Sequence, residues 1–476
     1  MIQPKPSLAR PYQLRAIERM VCLKRVLLAD PPGAGKSLMV LGTLNQLSVF
    51  DNLNVLIICP ASIKFVWETE IEKWCIPNSR VDVISGSTGK KGTSRTFAGN
   101  DPDQDVTCHQ INFTIVNYDI CIRPPVRRTL MKQKYDVIVC DECHMLKSMT
   151  SKRSKVCLGV DDRTTPLISR AQRIIAITGT PLNNHVVDLW PIVRTLAPEE
   201  FGTNFDRFAM RYCDPRPTDY GMDYTGADNL LELNQKLRDT CMIRRKKEII
   251  LPEIPEKSFS TIMIEGAGSL IKQEERILSD ANALDLKKSY DGIEPEQMLI
   301  DTMSTVRKEL SIEKLKYTYP MIKNWLESCN EKLVIMGYHT EALYELHKRL
   351  LPFGAVILTG KTSSKGRQEA VESFQNKPNT RVFIGNIKAA GVGLTLTSAR
   401  TIFFVELDWN PSSMLQAVDR VHRIGQTKKV QVQFLCFRNS LEASIAKSLE
   451  KKSHRIDTAI DTGSEDSARH DMRELD

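Results

Sequence analysis

No window of the chain approaches 18 uncharged apolar residues, so no membrane-spanning helix is expected. The first stretch, MIQPKPSLARPYQLRAIERM, lacks the apolar core of a secretory leader, and the protein is expected inside the cell. Cysteine is sparse, 12 residues in 476, and Cys59, Cys140 and Cys436 sit inside apolar runs where a reduced thiol behaves as a small hydrophobe. A single C-x-x-C occurs, Cys140 to Cys143, followed by His144. That spacing would suit covalent haem, but haem attachment normally needs an exported chain. A structural zinc site needs a second ligand pair, and none exists. The reading that remains is Asp141-Glu142, two acids closing the apolar run DVIVC.

With 41% hydrophobic and 26% charged residues over this length, two or three ordinary domains are expected. The formal net charge of +8 is modest, so its distribution matters more than its total. The densest basic cluster holds Lys236, Arg238, Arg244, Arg245, Lys246 and Lys247.

Short β-branched runs recur at 25–30, 54–60, 81–85, 113–118, 136–142 and 173–180, each closed by polar or glycine-rich residues. A second set follows at 332–338, 355–360, 381–386, 401–407 and 430–437. Near-continuous hydrophobicity over five or six residues suits strands buried on both faces, as in parallel sheets. Segments with helical spacing lie between them. In EALYELHKRLLPFG, Leu343, Leu346 and Leu350 share a face, and Pro352 and Gly354 end it. The fold class predicted is α/β, two doubly wound parallel-sheet lobes with helical insertions between them. The boundaries predicted are 1–195 and 331–460 for the lobes, 196–330 for the insertions and inter-lobe connection, and 461–476 for an apolar-poor, disordered tail.

The stretch LLADPPGAGKSLMVL follows a strand, turns through Gly33 and Gly35 and enters a helix at Lys36-Ser37. Such a turn aims backbone N–H groups and a helix N-terminus at a phosphate. Asp30, Gly33, Ala34, Gly35, Lys36 and Ser37 are therefore candidates for binding ATP, with Lys36 at the β/γ-phosphates and the Ser37 hydroxyl on Mg²⁺. A phosphate loop needs a metal carboxylate and a water-positioning group on a neighbouring strand. Asp141 and Glu142 suit these roles, both at the carboxyl end of a strand where ligands of open α/β sheets bind. His144 either touches the nucleotide, couples it to other parts, or is a satisfied structural histidine.

Taken together, RPYQ (10–13), ADPPGAGKS (29–37), CPASIKFVWETEIEKW (59–74), DECH (141–144), ITGTPLNN (177–184), MIRRKKEIILPEIPEK (242–257), GNIKAAGVGLTLTSA (385–399) and VELDWNPSSMLQAVDRVHRIGQ (405–426) closely resemble the Swi/Snf-type DNA translocase ATPases of helicase superfamily two. GYHTEAL leans towards their compact fork-remodelling, strand-annealing branch. The resemblance implies two RecA-like lobes and an ATP- and Mg²⁺-using motor on DNA, working as a monomer. It implies that Gln13 reads adenine and that Gln416, Arg420 and Arg423 form the second lobe's face of the ATP site. The two arginines would be fingers on the transferring phosphoryl group, their Arg-x-x-Arg spacing placing both on one side of a helix. Thr178 and Thr180, with His144, would couple phosphate state to lobe movement.

DNA backbone contacts would come from Ser62, Lys64, Asn117, Tyr118, Lys388 and Thr395. Gly393 is a candidate for both nucleotide and DNA. Ser62 and Thr395 suit helix caps equally, and Trp409 is either a strand-contacting aromatic or a buried anchor. Residues 244–247 suit a hinge, a backbone contact or a solvated face. Two departures stand out: Asp30-Pro31-Pro32 opens the phosphate loop, and Asn183 stands where the family commonly has Gln. Fewer than ten residues precede the adenine motif and no reader, nuclease or zinc module follows, so a bare motor with an unspecified recruiting partner is expected. The rivals are a strand-separating DNA or RNA helicase and a non-hydrolysing ATP-binding scaffold.

Overall fold

The computed structural model describes all residues except 1–8, 87–90, 100–108, 162–163, 183–184, 219–220, 286–294, 391–393, 409–410 and 448–476. The chain forms two compact units and passes from the first to the second between Leu251 and Pro252. Gly393, Trp409, Asn183 and the 461–476 tail lie outside the described residues.

The first unit is built on eight strands. They are β1 (Arg25–Leu28), β2 (Leu53–Cys59), β3 (Ser79–Ile84), β4 (Lys91–Phe97), β5 (Ile111–Asn117), β6 (Tyr135–Asp141), β7 (Ala171–Ile177) and, after an exposed hairpin of β8 (Arg216–Thr218) and β9 (Gly221–Asp223), the two-residue β10 (Met242–Ile243). The order across the sheet is β10-β1-β7-β6-β2-β5-β3-β4. Every pairing is parallel except β3 with β4. The apolar runs predicted as strands form its centre, where Val26 to Leu28, Val55 to Cys59 and Val137 to Val139 have no exposed surface. That burial on both faces is why they read as unbroken hydrophobic runs.

The second unit contains β11 (Lys257–Ile264), β12 (Leu333–Gly337), β13 (Ala355–Leu358), β14 (Val382–Asn386), β15 (Thr401–Phe404) and β16 (Val430–Phe437). Its order is β11-β16-β15-β12-β14-β13, all parallel. The helix predicted around Leu343 is found at Thr340–Leu350, with Leu343, Leu346 and Leu350 fully buried. A 3₁₀ turn, Leu351–Phe353, follows it and stops at Gly354 (φ 69°), where a Cβ would lie 1.8 Å from the Asn379 carbonyl oxygen.

The 196–330 stretch is not one linking element. Its first part, with helices Phe205–Tyr212 and Leu230–Thr240, belongs to the first unit because Met242 and Ile243 pair with Leu27 and Leu28. Its second part belongs to the second unit because β11 pairs with β16 along its whole length.

Candidate nucleotide-binding site

Strands β1, β7 and β6 are neighbours in the sheet, so the loops after their carboxyl ends are brought together. These loops are 29–36, 178–182 and 142–146. The loop after β1 turns through left-handed Gly33 (φ 86°) and Gly35 (φ 79°), and the helix Lys36–Leu47 starts from Gly35. A side chain at Gly35 would meet Gln13 Nε2 at 2.4 Å, so glycine is required on grounds of both space and backbone angle. Lys36 Nζ donates to the carbonyl oxygens of Asp30 (2.8 Å) and Pro31 (3.2 Å), holding its ammonium over the concave side of the loop.

Gln13 is buried at the third position of the helix Pro11–Cys22. Its Oε1 accepts from Arg10 N (2.9 Å) and its Nε2 donates to the Ala34 carbonyl (2.9 Å). Tyr12 donates its hydroxyl to the same carbonyl at 2.8 Å. The adenine candidate is thus also a strut under the phosphate loop.

Asp141 closes β6, and both of its carboxylate oxygens are held. Oδ2 accepts from the Trp67 indole N–H (2.9 Å) and Oδ1 from Glu142 N (2.9 Å). Burial, with the Glu142 carboxylate second, pushes Asp141 up to about 6. Glu142 sits in the left-handed region (φ 50°), a strained position for a residue with a side chain. Its Oε2 is 3.2 Å from His144 Nδ1, and that nitrogen is also 3.2 Å from Thr178 Oγ1. Thr178 Oγ1 accepts in turn from Thr180 N at 3.1 Å. His144, Thr178 and Thr180 are therefore brought into one chain with the Glu142 carboxylate.

Lysine ammonium, Ser37 hydroxyl at the helix start and two adjacent acids, one with its proton affinity raised by burial and then by the other, form a donor set that fits Mg²⁺ and ATP. The cysteines of the C-x-x-C are core instead. Cys140 and Cys143 are buried, and burial pushes both thiols up, Cys140 to about 12. No group of His, Cys, Asp and Glu able to hold a metal by itself occurs among the described residues.

Several expectations are corrected. Asp30 was a candidate to face the nucleotide, but its side chain is fully buried against Arg245 (Nε to Oδ1, 3.2 Å). Arg245 and Arg244 are accordingly not a solvated face; Arg244 Nη1 donates to the carbonyls of Ala29 (2.7 Å) and Gly179 (3.3 Å). In the same basic cluster Arg238 donates to Asn234 and to the Arg244 carbonyl, and Lys236 pairs with Glu200.

Tyr118 was a candidate for DNA, but it has no exposed surface and donates its hydroxyl to the Asp141 carbonyl (2.9 Å). Asn117 is buried, and Lys64 is buried with Nζ donating to the Ile84 carbonyl (3.3 Å); burial lowers its pKa. Ser62 remains exposed. Trp67 carries no candidate role in the sequence; its only local signal is an indole inside the 59–74 motif.

In the second unit, Gln416 is half-buried on the helix Pro411–Val418. Arg420 and Arg423 do not share a helix face, since the helix ends at Val418 and both lie in the turns that follow. The Arg420 carbonyl accepts from Leu396 N (2.9 Å), which diverts it from helical bonding, and Arg423 Nη1 donates to the Leu394 carbonyl (2.7 Å). Gln426, which ends the same motif, donates from Nε2 to the carbonyls of Ala399 (2.7 Å), Val421 (3.2 Å) and Thr397 (3.3 Å), pinning this turn to the 394–399 segment. Lys388 and Thr395 are exposed, and Lys388 Nζ donates to the Tyr338 hydroxyl at 2.9 Å.

Against known proteins, the sequence profile described as the SNF2-related domain matches residues 12–312, and that of the helicase conserved C-terminal domain matches 313–425. The SWI/SNF-related matrix-associated actin-dependent regulator of chromatin subfamily A-like protein 1 of Xenopus tropicalis is 28% identical over 90% of this chain and 42% of its own length. The DNA annealing helicase and endonuclease ZRANB3 of Mus musculus is 30% identical over 90% of this chain and 38% of its own length. The chain thus spans less than half of these relatives. A solved Sulfolobus solfataricus SWI2/SNF2 ATPase core in complex with dsDNA aligns over 95% of this chain and 93% of that one, with 24% identity and a TM-score of 0.41.

Proposed function

We propose, from the premise that this chain belongs to the SNF2-related domain family, that it is an ATP-hydrolysing motor driven by duplex DNA, along which it moves. The observation that supports this best is the chain of contacts from Glu142 through His144 to Thr178 and Thr180, which connects a water-positioning acid to the loop after β7. Relatives named for DNA annealing and for chromatin regulation favour DNA as the partner, and an intracellular site wherever DNA is kept.

Bound Mg²⁺ and ATP supply the reactive phosphoryl group and offset the charge of its oxygens. Lys36 would exchange the carbonyls of Asp30 and Pro31 for phosphate oxygens, and Ser37 and Asp141 would hold the ion. Glu142 would accept a water proton on its carboxylate while His144 holds that carboxylate in place. Arg420 and Arg423 would stabilise charge on the phosphoryl group. Ser62, Lys388 and Thr395 are the exposed candidates for DNA phosphates, contacts that carry little sequence information. A second reading, strand separation, is favoured by one observation: in the paired strands β8 and β9 every residue but Asp223 is exposed.

The test is steady-state ATP hydrolysis with no nucleic acid, duplex, forked DNA, single-stranded DNA and RNA, at two salt concentrations, beside Glu142→Gln. Strong stimulation by duplex or fork, weakened by salt and absent in the variant, is expected. Preference for single strands or RNA would move the assignment to strand separation. A folded, ATP-binding protein with no turnover under any condition would refute the motor.

A further inference from the structure

We infer that Arg245 is the positioning residue of the phosphate loop, so that the conformation of residues 30–37 depends on the segment through which the chain leaves the first unit. This rests on the ATPase reading and deepens it.

The loop opens Asp30-Pro31-Pro32, and neither proline has an N–H with which to brace the turn. Asp30 is fully buried, where an uncompensated carboxylate would be costly. Arg245 supplies the compensation. Its backbone N–H donates to Asp30 Oδ1 (3.0 Å), its Nε to the same oxygen (3.2 Å), and its Nη2 to Oδ2. The remaining Nη1 donates to the Tyr12 carbonyl, and the guanidinium lies 5.0 Å from the centre of the Tyr12 ring. Tyr12 in turn holds the Ala34 carbonyl. Arg245 therefore grips the loop at both ends, at Asp30 directly and at Ala34 through Tyr12.

The neighbouring residues make the grip wider. Arg244 ties the Ala29 carbonyl to that of Gly179 in the loop after β7. Gly179 is packed so closely on the phosphate loop that an added Cβ would meet Pro32 Cγ at 2.7 Å. Both arginines emerge from β10, whose two residues pair with the last two of β1, so they arrive beside the loop's first residues. Only Lys246 to Leu251 separate this clasp from the second unit. The connection between the units therefore begins at the residue that holds the phosphate loop. Strain in that connection would reach Asp30 and Ala34, and nucleotide at the loop would act back on the connection with equal coupling.

The experiment compares wild type, Arg245→Lys, Asp30→Asn, Arg245→Met and Arg245→Met/Asp30→Asn. Each is read by the Kd of a fluorescent Mg-ATP analogue, KM and kcat with saturating duplex, circular dichroism and melting temperature. Lysine keeps the charge and loses the planar fork, and asparagine keeps the shape and loses the charge. With folding retained, either conservative change is expected to raise Kd and KM about tenfold, as a displaced loop would. The double variant should be no worse than its singles, because both remove one contact. Folded conservative variants with wild-type Kd and KM would overturn the inference, whether or not they melt earlier, since a purely structural pair would move only the melting temperature. Losses that add in the double variant would overturn it as well. Failure of wild type to bind the analogue would instead count against the ATPase reading.

Discussion

Replacing Trp67 with phenylalanine isolates a single hydrogen bond at the acids proposed to be catalytic. Trp67 is 2% exposed and its indole N–H donates to Asp141 Oδ2 at 2.9 Å. A donor to an ionised acceptor contributes about 1.5–3 kcal/mol, and it favours the charged carboxylate. Asp141 stands at about 6 with that bond in place. Each pH unit corresponds to about 1.4 kcal/mol, so loss of the bond should raise Asp141 by about one to two units. A protonated Asp141 cannot serve as a metal ligand, so kcat/KM should fall as pH drops through about 6 in wild type. In the variant that acidic limb should move upward by about one unit or more. The assay is kcat/KM across the acidic-to-neutral range, with circular dichroism to show that the smaller ring leaves the fold intact. A folded Trp67→Phe protein whose acidic limb coincides with wild type would refute the reasoning.

Glu142→Gln should lower kcat by about a hundredfold or more while retaining nucleotide binding, which turnover and analogue binding measure separately. Because its folded-state value lies above the ordinary carboxylate range, Asp141 contributes stability that is present below that range and lost as pH rises through about 6. Asp141→Asn should therefore shrink the difference in melting temperature between mildly acidic and mildly alkaline buffer. Lys314 is buried, donates to the carbonyls of Val405 (3.0 Å) and Leu435 (3.1 Å) and pairs with Glu442, so Lys314→Met should cost about 3–5 kcal/mol in urea unfolding of the second unit. Adding Glu442→Gln should recover part of that loss. Gly179→Ala should cost about 1–3 kcal/mol in Mg-ATP binding, because the new methyl meets Pro32 in the phosphate loop.

What the sequence by itself determined is the local, periodic part of this protein. Strands such as β2 and β6 were legible because burial on both faces leaves an unbroken apolar run. The phosphate loop was legible because its glycines, lysine and serine are adjacent in the chain, as are Asp141 and Glu142. The helix at Thr340–Leu350 was legible from its leucine spacing. β10 was not, because two residues carry no period, and its place in the sheet comes wholly from pairing with β1. The helix predicted through Arg420 and Arg423 stops at Val418, and beyond its end a distant N–H, that of Leu396, takes the Arg420 carbonyl. Tyr118 and Lys64 read as surface contacts, yet packing buries both. The tertiary structure alone decided that Asp30 faces Arg245, 215 positions away, and that Trp67 holds Asp141. Hydrophobic period is a property of neighbours in the chain, whereas a buried charge finds its partner only when the sheet has brought distant strand ends side by side.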